Sequence, residues 1–421
     1  MGDVIDAERK AAARAAATRI ARESYGKLVA FLAAPGRDVP GAEDALSEAF
    51  ANALEAWPAN GVPANPEGWL VVAARRRMLD AARRRRGAEA ASGALAMIGE
   101  ELASAEASDL PIPDRRLALM FACAHPAIDE AIRAPLMLQT ILGLDAAAIA
   151  SAFLVSPAAM GQRLARAKAK IRLAGIPFRV PEKDELPSRL GAVLDAIYAA
   201  FAQGWAEAFA DDPRGRNLAE EAIWLGRVVV ALAPQEPEAL GLLALMLYSD
   251  SRRAARRDGD GRYVPLSEQN CGLWNREAIG EAEARLRAAG AMRRPGRFQL
   301  EAAIQSAHAA RANSGVTDWD AIVGLYDALH ALTGSRVVAV NRAIAVANAR
   351  GAAAGLRLLE EAESAGSLDG YQSYWAAKAD LQARVGDRAA AAASYRMAIG
   401  LETDAATRAF LLERLGAVSR V

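Results

Sequence analysis

This chain of 421 residues is poor in cysteine, histidine and aromatic side chains, and each shortage removes a class of function. Its two cysteines, Cys123 and Cys271, lie far apart and give no disulfide framework. With three histidines in the whole chain, Cys123 and His125 in FACAHP have no second ligand pair nearby, so core packing is expected there rather than a metal. No apolar run approaches the ~20 residues that a bilayer-spanning helix needs. The opening stretch, MGDVIDAERKAAARAAATRIARESYGKL, has neither the apolar centre nor the cleavage site of a signal peptide. A glycine-rich phosphate loop, a nucleophile–base pair and a Ser/His/Asp order are also missing. The expectation is a cytoplasmic protein, not an enzyme, with no cofactor, no metal and no membrane contact.

What is there is alanine, leucine and arginine, a composition that favours helix and predicts an all-α fold. By length the chain has room for two to four domains at roughly 150 residues each. Residues 1–87 read as helices that end in a cluster of arginines. Residues 88–113, rich in Gly, Ser, Ala and acid and closed by two prolines, read as a flexible linker. A second helical block covers 114–180. GIPFRVPEKDELP then punctuates the chain as a hinge, and 181–421 reads as a long helical array. In YWAAKADLQARVGDRAAAAASYRMAI, Trp375, Gly386, Ala391, Tyr395 and Ala398 fall where a tetratricopeptide repeat places large and small residues, so that paired helices interdigitate. A second copy fits Ala222, Gly226, Val229 and Pro234, followed by Leu240, Leu243, Ala244 and Leu247.

The 51 basic and 51 acidic residues cancel in total but not locally. AARRRMLDAARRRR, residues 73–86, holds seven arginines around one aspartate. Asn65 and Pro66 read as the cap and first residue of its helix, and Val71, Ala74, Met78 and Ala82 as its apolar face. Arg76, Arg77, Arg83 and Arg84 point elsewhere, with donors suited to phosphate and to base edges. The second cluster, Arg163, Arg166, Lys168, Lys170 and Arg172, has no acid among it. It lies in LDAAAIASAFLVSPAAMGQRLARAKAKIR, which reads as helix, turn, helix, with Ser156 as cap and Pro157 at the first helical position. Met160, Leu164 and Ala167 would bury one side, leaving Gln162, Arg163, Arg166 and Lys170 for a major groove. A solvated basic face and a generic helical hairpin are the competing readings of the two clusters.

Two such units in this order resemble a bacterial sigma-70 family factor of the extracytoplasmic-function group. AEDALSEAFANALEAW resembles the region-two helix that docks on the clamp helices of core RNA polymerase. NPEGWLVVAARRRMLDAARRRR resembles the segment that opens and reads the minus-ten element. DRRLALMFACAHPAI and the helix-turn-helix after it resemble region four, which reads the minus-thirty-five element and touches the polymerase flap. The remainder resembles the subgroup with a C-terminal tetratricopeptide-like extension. The resemblance implies polymerase contacts from Asp44, Ser47, Glu48 and Asn52, with Leu46, Phe50 and Leu54 in the core. It also places Trp69 near the melted strand, where an exposed aromatic stacks on unpaired bases; a core position is the alternative. DGDGRYVPLSEQ opens like a calcium loop, but Arg262 and Gln269 stand where oxygen ligands belong.

The expected function is transcription initiation: binding core polymerase and promoter DNA, with the array controlling activity through a protein or peptide partner or by packing on the DNA-binding units. The alternative is a helix-turn-helix regulator with a tetratricopeptide domain that never binds core polymerase.

Overall fold

The computed structural model describes residues 2–86, 114–152, 155–182, 184–207, 213–364 and 368–420. The linker expected at 88–113 lies outside them. Among the described residues the chain is all-α, as its composition predicts, with no strand and an isolated bridge between Arg257 and Tyr263. It divides into two compact units, Met1–Leu225 and Gly226–Val421.

The first unit holds α1 (Gly2–Glu23), α2 (Tyr25–Gly36), α3 (Val39–Asn60), α4 (Pro66–Arg86), α5 (Arg116–Cys123), α6 (Glu130–Leu142), α7 (Ala146–Ala152), α8 (Pro157–Leu173), α9 (Leu186–Glu207) and the start of α10 (Pro213–Leu232). Side-chain caps start several of them. Asp38 accepts from the Gly41 amide, Asp129 from Ala131 and Ser156 from Ala159, each cap contributing about 1 kcal/mol. Helix α2 is the hub. Leu28, Val29, Leu32 and Ala33 are buried, and the helix packs on α3 and α4 as well as on α5 and α6. Its approach to α6 is so close that a Cβ on Gly26 would collide with the carbonyl of Ile141.

The hinge expected at GIPFRVPEKDELP is folded into this first unit. Ile176 is buried and its amide donates to the Ile171 carbonyl, Arg179 pairs with Glu185 at 2.8 Å, and Arg37 donates to the Gly175 carbonyl. Leu190, Val193, Leu194 and Ile197 give α9 an apolar stripe that needs cover, and α9 packs on α5 and α6. The array expected to begin at 181 therefore starts inside the first compact unit. Prolines interrupt a helix, but they carry no information on whether the next helix folds back.

The second unit continues with α11 (Pro237–Ser251), α12 (Arg276–Ala291), α13 (Arg297–Ala309), a single turn at Arg311–Ser314, then α14 (Trp319–Thr333), α15 (Arg336–Arg350), α16 (Ala352–Ser364), α17 (Gln372–Arg384), α18 (Arg388–Leu401) and α19 (Ala405–Ser419). Its core is serial. Ile304, Ile322, Val323 and Val346 from α13, α14 and α15 form one cluster. Val340, Ala343, Leu359 and Tyr374 from α15, α16 and α17 form the next. Ala379, Tyr395, Ala398 and Leu411 from α17, α18 and α19 form a third. Each cluster shares a helix with its neighbour, which is how a stacked array is built. Of the residues read as repeat positions, Ala391, Tyr395 and Ala398 are buried, and Gly386 takes φ 89° in the turn between α17 and α18.

Gly26→Ala should destabilise the protein by about 1–3 kcal/mol, because α2 must move away from α6. Gly191→Ala, in α9 where an added Cβ meets nothing within 4 Å, should stabilise by about 0.5–1 kcal/mol. Urea unfolding followed by circular dichroism checks both signs.

Candidate nucleic-acid interface

Helix α4 begins as the sequence predicts, with Asn65 Oδ1 accepting from the Gly68 amide at 2.9 Å and Pro66 in the first turn. Its first turn is clamped to α2. The Ser24 hydroxyl donates to Glu67 Oε1 at 2.5 Å, and Lys27 Nζ donates to Oε2 at 2.8 Å. Burial pushes the Glu67 carboxyl up, but these two hydrogen bonds and the charges of Lys27 and Arg116 outweigh it, and the net shift is downward. Trp69 is half-buried, its ring set edge-on to buried Trp57 at 5.6 Å and 68°. It is neither a core tryptophan nor a fully exposed one.

The arginine cluster separates by position. Arg75 is only 5% exposed, its guanidinium 4.7 Å from the Phe31 ring centroid, with Arg115 approaching the same ring at 5.7 Å. Arg76 is exposed. Arg77 forms an ion pair with Glu48 of α3, joining two residues that the resemblance assigns to different partners. Both side chains of this pair are about 40% exposed, and such pairs contribute about 0–1 kcal/mol, so a partner can displace it. The helix that carries Arg83 and Arg84 is described as far as Arg86, but their side chains lie outside the description.

On α3, Asp44, Ser47 and Asn52 are exposed and Glu48 is half-buried. Leu46 is in the core and Phe50 is half-buried, whereas Leu54, expected in the core, is 46% exposed. The reason is helical phase. Ala42, Ala45, Leu46, Ala49, Ala53 and Trp57 share the buried arc, while Leu54 lies eight residues past Leu46, about 80° further round at roughly 100° per residue.

Helix α8 buries Met160, Leu164, Ala167 and Ile171 and leaves Gln162, Arg163, Arg166 and Lys170 exposed within an arc of about 100°. These four form one open face, with the Arg166 guanidinium turned back to the Gln162 carbonyl at 3.3 Å. The other two cations of this cluster face α3. Lys168 Nζ meets Glu43 at 2.7 Å, and Arg172 meets Asp38 at 3.3 Å. Burial raises the Glu43 carboxyl above the ordinary range, against the hydrogen bond and charge of Lys168. Nothing local in the sequence links positions 43 and 168; only the packing of α8 on α3 does.

Cys123 is buried against the Thr140 hydroxyl, 3.7 Å from its Sγ, and burial pushes the thiol up to about 12. His125 accepts the Ala127 amide at 3.1 Å. No cluster of metal-ligating side chains and no helix long and apolar enough to cross a membrane occurs among the described residues. Arg116 was not singled out from sequence, yet it is buried with three partners: it bonds to Asp114 at 3.0 Å, pairs with Glu221 of α10, and stands 3.9 Å over the Trp224 ring. Only Asp114, two residues away, could have hinted at it.

The Glu67 clamp sets a pH dependence. A carboxyl whose folded value is depressed stabilises above its ordinary range, and the contribution fades as pH falls through the folded value. Glu67→Gln should therefore lower stability at neutral pH by about 1.5–3 kcal/mol, the strength of charge-assisted hydrogen bonds. The gap to wild type should close on acidification, as read from denaturation midpoints between neutral and strongly acid pH.

Residues 12–88, which span most of α1 and all of α2 to α4, match the family model for sigma-70 region 2. Residues 189–290 match a family of unknown function, DUF6596. The uncharacterized protein R00370 of Rhizobium meliloti (strain 1021) is 37% identical over 389 residues, covering 90% of each chain. No solved structure matches. The chain belongs to one family with that Rhizobium protein along nearly its whole length, and within it residues 12–88 form a segment similar to sigma-70 region 2.

Proposed function

We propose that this chain is a sigma factor of the extracytoplasmic-function group that binds core RNA polymerase and directs it to promoters, with a C-terminal tetratricopeptide-like domain controlling activity. The observation that carries the reading is the region 2 match over α1–α4, on a helix bundle whose α3 and α4 turn polar faces outward. In this reading residues 1–87 are region two, 88–113 a linker, 114–180 region four and 181–421 the controlling domain. Asp44, Ser47, Glu48 and Asn52 engage the clamp helices. Trp69 and the arginines Arg76, Arg77, Arg83 and Arg84 of α4 engage the minus-ten element. The open face of α8, Gln162, Arg163, Arg166 and Lys170, enters the major groove upstream as the second helix of a helix-turn-helix. Arg75, held under Phe31, is excluded from DNA contact by its burial.

Reconstitution with core polymerase tests the function. The protein should co-purify with core enzyme and support specific transcription from a genomic promoter library. A protein that binds promoter DNA but never core enzyme would be a helix-turn-helix regulator instead. Reversing one exposed charge, Asp44→Lys, should weaken core binding about tenfold, roughly 1.4 kcal/mol, with the thermal midpoint unchanged.

The open face of α8 makes a sharper claim. Arg163→Ala should relax preference at one upstream base position by about 1–3 kcal/mol. Lys170→Ala, nearer the helix end, should weaken all sequences alike and lower the salt slope by about one. Binding to matched and mismatched promoters over a salt series separates the two, and equal behaviour of both variants would remove the assignment.

A further inference from the structure

Four arginines crowd residues 252–257 at the end of α11, in the stretch SRRAARRDGDGRY. Arg253 donates to Asp250 Oδ1 at 2.9 Å, and Arg257 donates to both oxygens of Asp404 at 2.9 Å. Arg252 is different: among the described residues its hydrogen-bond acceptor is the neutral Gln305 Oε1, at 2.6 Å. Arg311, in the turn after α13, adds another cation to the same neighbourhood. It donates to the carbonyls of Ser267 and Gln269 at 2.7 and 3.0 Å and stands 5.3 Å from the Trp274 ring centroid, again neutral partners throughout.

The electrostatic strain is visible on both sides. Burial, then the charges of Arg256 and Arg311, push Arg252 down to about 10. Burial, then Arg252 and Arg311, push His308 down to about 4, so this imidazole is neutral at pH 7. Arg252, Arg256, His308 and Arg311 are all set below the surface, yet each keeps part of its area open to solvent. A guanidinium offers five N–H donors in a planar fork, and leaving it half-desolvated without a counter-charge is costly. An oxyanion relieves that cost through charge-assisted, bidentate hydrogen bonds.

We propose that Arg252 and Arg311, with Arg256 beside them, form a binding site in the second unit for a phosphate-type oxyanion, either free phosphate or the phosphate monoester of a small solute. A single carboxylate would answer one of the two guanidiniums that face only neutral acceptors. A phosphate dianion answers both. The region lies within the array that the function above assigns to control, but the argument for the anion is independent of that function.

The test uses the full-length protein and inorganic phosphate, against chloride and acetate at equal ionic strength. Phosphate should raise the thermal midpoint saturably, while chloride and acetate should not. Arg252→Gln should cut phosphate affinity at least tenfold and, because it removes a repelled cation, should melt no lower than wild type in phosphate-free buffer. Arg396→Gln, an exposed arginine elsewhere on the array, should leave affinity unchanged. Imidazole NMR on the unmodified protein gives a readout that needs no variant: bound phosphate should raise the pKa of His308. Glycerol phosphate distinguishes the sources, since equal binding assigns the site to esters and binding of phosphate alone assigns it to the free ion. Indistinguishable melts in phosphate, acetate and chloride, with His308 unmoved, would overturn the proposal, whatever the outcome of reconstitution with polymerase.

Discussion

The first unit is organised by one constraint: α2 is too apolar to show a face to water. YGKLVAFLAAPG buries Leu28, Val29, Ala30, Leu32 and Ala33, and no single neighbour covers so wide an arc. Helices α3 and α4 take one part of it, and α5 and α6 take another, the latter at a distance that tolerates only glycine at position 26. The region 2 helices and those that follow residue 114 are therefore joined by hydrophobic burial. The ion pairs at the rim, Lys168–Glu43 and Arg172–Asp38, are secondary to it. A part-exposed pair such as Arg172–Asp38 contributes little, and the attraction in the more buried Lys168–Glu43 pair is offset by the cost of desolvating both charges, while buried leucines and valines contribute about 1.5–3 kcal/mol each.

The same packing sorts the cations. A cluster of seven arginines looks uniform in sequence, but the helix surface gives neighbouring positions different fates. Arg75 lies inward under Phe31, Arg77 reaches Glu48, and Arg76 faces outward. On α8 the division is cleaner, because the buried stripe of Met160, Leu164, Ala167 and Ile171 separates the open Gln162–Arg163–Arg166–Lys170 face from the pair turned to α3. A proposed DNA-binding surface is thereby narrowed from two charge clusters to specific helix faces.

The second unit follows another rule. Its core is passed from cluster to cluster, with α15 and α17 each contributing to two. The loop that resembles a calcium site is tied into this array by local geometry: Asp258 Oδ1 accepts the amides of Asp260 and Arg262, Tyr263 packs edge-on to Phe410 at 5.4 Å, and Arg257 reaches Asp404. The carboxylate that opens the loop is spent on its own backbone.

Sequence alone determined the features that depend on near neighbours. Helix content followed from composition, the starts of α4 and α8 from Asn65-Pro66 and Ser156-Pro157, and the buried sides of α8 and α18 from three- and four-residue spacing. The region 2 segment was legible because its motif is continuous in the chain. What the tertiary structure decided was everything that pairs distant residues. Glu43 finding Lys168, Glu221 finding Arg116, and α9 folding back past the proline hinge all require surfaces that exist only once α2 has been covered. Leu54 shows the same limit within one helix: its spacing from Leu46 suits a core position, but the width of the buried arc is set by the helices that pack on α3, and Leu54 lies outside it. Local pattern fixes which residues can share a face, and long-range packing fixes which face is buried.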